Sequence, residues 1–108
     1  MEDINVTVKS NADIFNNALP EQIAMALEAI GLTAEKYAKE ICPVDTGRLR
    51  NSISHARDDN AAYIGTNVEY AAAVELGTSR QKAKPYLRPA AADHAEEYKQ
   101  IVKTALQG

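Results

Sequence analysis

Residues Pro43 to Ile53 read PVDTGRLRNSI, and residues Tyr70 to Ala90 read YAAAVELGTSRQKAKPYLRPA. The order of proline, glycine and apolar residues in these two stretches decides the fold. Pro43 has no amide donor and disfavours helix at Cys42, so a helix arriving from the N-terminal side must stop there. Asp45-Thr46-Gly47 supplies turn chemistry. Leu49, Asn51 and Ile53 then alternate with Arg50, Ser52 and Ser54, which predicts a strand. Tyr70, Ala73, Val74 and Gly77 fit about two turns of helix ending on a glycine cap, with a strand through the same residues as the alternative. Pro89 suits the first position of a closing helix.

Working outward, Ile4, Val6 and Val8 alternate with Asn5 and Thr7, the period-two pattern of a half-buried strand. Asn11 to Ala18 has room for a turn or two of helix, and Pro20 opens a longer one. Ile23, Leu27, Ile30, Ala34, Tyr37, Ala38 and Ile41 form one apolar stripe at helical spacing, with Glu35 and Lys39 placed to pair across one turn. Gly31 weakens the middle of that helix by about 1 kcal/mol relative to alanine and marks a place where it could kink. Asp58-Asp59-Asn60 reads as a turn joining the predicted strand to a hairpin partner over Ala61 to Thr66. Ala91, Ala95, Tyr98, Ile101, Val102, Ala105 and Leu106 put a second apolar stripe on the last helix. Its acids Asp93, Glu96 and Glu97 come early and Lys99 and Lys103 late, as the helix dipole prefers. These elements predict a single α+β domain, a small antiparallel sheet packed against two main helices.

At 108 residues the chain has the size of one domain and no linker-like segment. Alanine supplies much of its 45% hydrophobic content, so bulky apolar surface is limited and association with further copies would help stabilise it. The net charge of −3 argues against a general nucleic-acid binder. Its single cysteine, Cys42, cannot form an internal disulfide. The start of the chain lacks a basic and then apolar leader, so the cytoplasm is the expected compartment. No apolar run approaches the roughly 20 residues needed to cross a bilayer, and no membrane partner is expected.

Three constellations invite chemistry. Asp45-Thr46-Gly47 matches the core tripeptide of aspartic proteases, which act through two carboxylates sharing a proton in a dimer. A small residue should follow that glycine, and here Arg48 follows, whose charge would hold both aspartates ionised. Cys42, His55 and His94 fall on three different elements without paired spacing, so no metal site is expected. The five glycines are scattered singly, which leaves no phosphate-cradling loop and no expected cofactor. The segment from Thr78 to Arg88 carries Arg80, Lys82, Lys84 and Arg88 and no acid. It could meet DNA phosphates, as in a host adaptor for nucleic acid, or the acids Asp93, Glu96 and Glu97 of an adjacent copy. Glu75, set between Val74 and Leu76, needs a partner if buried, with Arg48 and Arg88 as candidates.

In order and spacing, these residues resemble the minor tail-component family of long-tailed bacteriophages, the small neck or tail-completion proteins. The resemblance runs from about Ile23 to Ala105. It rests on the helix leading to Pro43-Val44-Asp45-Thr46-Gly47-Arg48-Leu49, on Asn51-Ser52-Ile53, on Tyr70-Ala71 through Val74-Glu75-Leu76-Gly77-Thr78, and on Pro85-Tyr86-Leu87-Arg88-Pro89-Ala90. The resemblance implies a non-enzymatic structural protein acting at the head-to-tail junction as part of a ring; loops that order on contact would let ring formation wait for its template. Its neighbours would be connector, head-closure and tail proteins. It would reside in the virion neck or tail, and in the host cytoplasm during assembly.

Overall fold

The computed structural model describes the backbone of residues 4–8 and all of residues 18–44 and 47–107. The expected turns of helix over Asn11 to Ala18 lie largely outside these residues, as do Asp45 and Thr46. The described elements are β1 (Ile4–Val8), α1 (Pro20–Ile41), α2 (Arg48–Ser52), β2 (Ser54–Arg57), β3 (Ala62–Thr66), α3 (Ala71–Leu76), α4 (Leu87–Ala92) and α5 (Ala95–Gln107). The strands form one antiparallel sheet in the order β1-β3-β2, and α1 and α5 are the two main helices. The α+β domain predicted by the patterning is the one observed.

The long helix α1 starts and stops where its prolines require. Pro20 occupies the first helical position, and the Gln22 side chain reaches back to accept the Leu19 amide at 2.9 Å. Cys42 adopts extended backbone before Pro43 while its amide still donates to the Ala38 carbonyl. Ala26, Leu27, Ile30, Ala34 and Ala38 are buried along one face. Full burial of Leu27 and Ile30 contributes about 2 kcal/mol each by transfer from water. The alanines let the helix lie close to its neighbours. The Gln22 amide donates to the Leu106 carbonyl, and Tyr37 stacks on His94 with ring centroids 3.6 Å apart, so α5 runs antiparallel to α1.

Two predicted elements are corrected. The stretch Leu49 to Ser54 is not a strand throughout: Arg48–Ser52 is a helix, and β2 begins only at Ser54. Leu49 and Ile53 satisfy both a period of two and a step of four. Asn51 distinguishes the readings, since a strand would bury it with them, whereas it is exposed while they are 4% and 2% exposed. Gly47, at φ +85°, turns the chain into this helix, and the Ser52 hydroxyl closes it by donating to the Leu49 carbonyl at 2.6 Å. The closing helix does not run unbroken from Pro89. α4 starts two residues earlier, and a turn at Asp93 and His94 separates it from α5. The Ala90 carbonyl, which a continuous helix would offer to the amide four residues on, accepts the Tyr98 hydroxyl.

Gly31 does not kink α1. It opens a notch that receives the ring of His55 from β2. A Cβ on Gly31 would lie 2.9 Å from His55 Cδ2 and 3.3 Å from its Cβ. The ring cannot swing away, because its Nδ1 lies 2.9 Å from Glu35 Oε1 and its Nε2 2.7 Å from Glu28 Oε1, one carboxylate on each side of the notch. Alanine at position 31 should therefore lose more to this clash than the ~1 kcal/mol it gains in helix propensity. We expect Gly31→Ala to destabilise by about 1–2 kcal/mol in urea titration. The same substitution should be neutral or stabilising when His55 is also Ala, a non-additivity that an uncoupled pair would not show.

Candidate functional site

The residues shared by the two informative stretches converge on one structural unit. Its centre is Glu75, only 5% exposed at the end of α3. Glu75 Oε1 accepts the amides of Tyr86 and Leu87 at 2.9 and 2.8 Å, and Oε2 accepts that of Arg88 at 3.2 Å. These are the amides opening α4, which have no acceptor within the helix. The next position, Pro89, has no amide to satisfy. Glutamate and proline, 14 residues apart in sequence, therefore complete one helix end. This corrects the expected pairing of Glu75 with a guanidinium. The Arg48 guanidinium makes a two-pronged contact with Glu69 at 2.9 and 2.8 Å and lies 5.6 Å from the Tyr70 ring centre. Arg88 meets Glu75 through its backbone.

Gly77 sends the chain back over this unit. Its φ of +80° favours glycine, and a Cβ would come within 2.8 Å of the Ala83 nitrogen. The basic segment is consequently a pinned turn. Thr78 donates its amide to the Gln81 carbonyl at 2.8 Å, the Thr78 hydroxyl accepts the Arg80 amide, and the Lys84 amide donates to the Val74 carbonyl at 2.8 Å. Arg80, Lys82, Lys84 and Arg88 all expose their side chains. Pro85 leads directly into Tyr86, which is fully buried with its hydroxyl near the Ala71 carbonyl, and burial pushes its phenol far above the ordinary range. Ala71 is also fully buried.

Beside the turn lies a groove of about 750 Å³ lined by Pro43, Val44, Leu49, Tyr70, Val74 and Lys84. Arg48 stands on its rim. Its lining combines apolar side chains with two cations, Arg48, which is paired with Glu69, and Lys84. The aspartate of the protease-like tripeptide, Asp45, and its neighbour Thr46 lie outside the described residues. Among the described residues, no group of three or more His, Cys, Asp or Glu side chains could hold a metal ion. Cys42 is buried, which raises its thiol pKa, and His94 is sandwiched between Tyr37 and the edge of Tyr98. No helix among the described residues is long and apolar enough to cross a membrane. Comparison with protein-family models, with curated proteins and with solved structures yields no match.

Sequence reasoning missed Glu69 as the partner of Arg48, and it missed the His55 cluster. The available signal for the latter was Glu28 and Glu35 on one face of α1, flanking a glycine. Both ring nitrogens of His55 face carboxylate oxygens, and only imidazolium donates from both. Ring burial opposes that charge, but hydrogen bonds to Glu28 and Glu35 outweigh it and raise the pKa above 6.5. The His55 hydrogen bond lowers Glu28; burial raises Glu35, but bonds from His55 and Lys39 reverse this, so both carboxyls sit below 4.5. Arg57 on β2 adds a contact to Glu28 at 3.6 Å.

The raised histidine stabilises the fold fully below its unfolded pKa and loses that contribution as pH climbs through its folded pKa. The lowered carboxyls contribute above their unfolded pKa and lose this as pH falls through their folded pKa. The stability difference between wild type and His55→Gln should thus peak between about pH 4.5 and 6.5 and shrink on either side. Urea titrations from acid to alkaline pH would reveal this; a difference independent of pH refutes it. At the helix end, Glu75→Ala leaves three amides without their acceptor and should cost about 3 kcal/mol or more. Glu75→Gln, which keeps one oxygen, should cost less than Ala, measured by the same titration.

Proposed function

We propose that this chain is a non-enzymatic structural protein of a bacteriophage or prophage, acting at the head-tail junction in the neck or in tail completion. It works by assembling with copies of itself and with connector, head-closure and tail proteins. The observation that supports this reading is that the motif residues tie neighbouring elements together beneath an exposed surface. Glu75, Gly77, Tyr86 and Pro89 fix α3, α4 and the basic turn to one another, and the groove and exposed cations sit on that surface. Residues in that order and spacing resemble those of the minor tail-component family. A protein whose signature residues hold a surface in place is suited to matching other surfaces.

In this reading Arg80, Lys82 and Lys84 meet Asp93, Glu96 and Glu97 of an adjacent copy, and the ring forms on its template. DNA contact would be confined to the basic turn. The protein would reside in the virion neck or tail, after assembly in the host cytoplasm. Deleting its gene from the phage or prophage should yield filled heads and finished tails that remain unjoined in electron micrographs. Expression of wild type in trans should restore infectious particles, whereas Lys82→Glu with Lys84→Glu should restore at least about tenfold fewer, a loss expected when a charge pair across an interface is reversed. Normal joining in the deletion rejects the junction role.

A further inference from the structure

Among the described residues, seven large apolar side chains are exposed, and three of them, Met25, Val44 and Tyr70, line two separate grooves. The first face is the outer seam of α1 and α5. Met25, 66% exposed, lines a shallow apolar groove of about 380 Å³ with Ala29, Ile101 and Ala105, and Glu97 stands at its edge. Glu21 is exposed one turn before Met25 on α1, and Asp93 and Glu96 are exposed at the start of α5. The second face is the larger groove beside α3. Val44, 55% exposed, and Tyr70 lie within it together with Arg48 and Lys84, and Lys82 is exposed on the adjoining turn. The two grooves share no lining residue.

We propose that the α1–α5 seam of one copy docks into the α3 groove of a second copy, with Met25 entering the apolar floor beside Val44. Charge selects this occupant. Pairing the seam with itself sets Glu97 and its neighbouring acids against one another. Pairing the groove with itself sets Lys82 and Lys84 against one another. Only seam on groove brings opposite charges and two apolar surfaces together. Using different faces on each copy, the contact is head-to-tail, so a pair keeps one free groove on one copy and one free seam on the other and can add further copies. The seam enters as a preformed helical surface, which spares the ordering cost of a flexible arm. This inference rests on the self-assembling part of the proposed function and names the surfaces that would carry it.

The test uses full-length protein in low salt, with mass followed by light scattering from about 1 µM to about 1 mM, the range in which such contacts saturate. Wild type should associate, and more weakly in high salt. Met25→Lys places a cation against Lys82 and Lys84, and Val44→Asp places an acid against the acidic seam. Each alone should weaken association at least about tenfold, while unchanged thermal melts show both folded. Mixing the two variants should restore association, because one carries an intact groove and the other an intact seam. A wild type monomeric up to about 1 mM, a variant associating like wild type, or a mixture that stays monomeric would each overturn the proposal. Monomeric protein in a phage whose head-tail joining needs it would sink this interface and leave the junction reading. Association through these faces by a protein dispensable for joining would do the reverse.

Discussion

A buried carboxylate sets the arrangement of the C-terminal half. Removing an ionised group from water costs several kcal/mol, and Glu75 is compensated by three amides that point the same way. Those amides exist in that array only if α4 begins at Leu87, and they reach Glu75 only if α3 ends beside it. The carboxylate therefore fixes two helices and the turn between them together. Pro89 fits the same geometry by removing the next amide. Gly77 fits it because nothing larger lets the chain fold back within 2.8 Å of a Cβ position. A change at any one of these positions exposes the others to an unsatisfied group or a clash.

The N-terminal half is held differently. Apolar residues of α1 pack into one core with those of the sheet and α5, and His55 tied to Glu28 and Glu35 fixes how the helix sits along β2. The two devices meet different needs. The donors at the helix end are backbone amides, so the Glu75 unit owes its directionality to backbone. The clasp relies on a proton that must be present on His55 and absent from both carboxyls, which confines its full strength to mildly acidic conditions.

The periodic parts of this fold were legible in the sequence: along α1 burial and period coincide, and for β1 the residue pattern alone marks the strand. The stripe of α1, the alternation of β1, the Asp58 turn and the glycine after α3 all follow from local rules. The errors arose where two periods fitted the same residues, or where a distant group decided the outcome. Leu49 and Ile53 suit a strand or a helix equally, and only the exposure of Asn51 separates them. The break between α4 and α5 depends on Tyr98 capturing a carbonyl eight residues earlier, which no local pattern encodes. Glu75 was recognised as a charge needing a partner, yet its partners are backbone amides, and sequence displays side chains only. The same limit hid His55, whose carboxylates lie 20 and 27 residues away.

The division between buried and exposed apolar surface bears on how such a chain works. Its core relies on alanine at Ala26, Ala34, Ala38, Ala62, Ala71 and Ala90, small side chains that permit close packing but each bury little area. Meanwhile Met25, Leu32, Val44 and Leu76, larger and worth more on transfer from water, remain exposed. Moving such residues inward would have stabilised the monomer. Leaving them on the surface forgoes that stabilisation. Under the proposed head-to-tail association, covering the two faces would recover the transfer free energy that these exposed side chains forgo in the monomer.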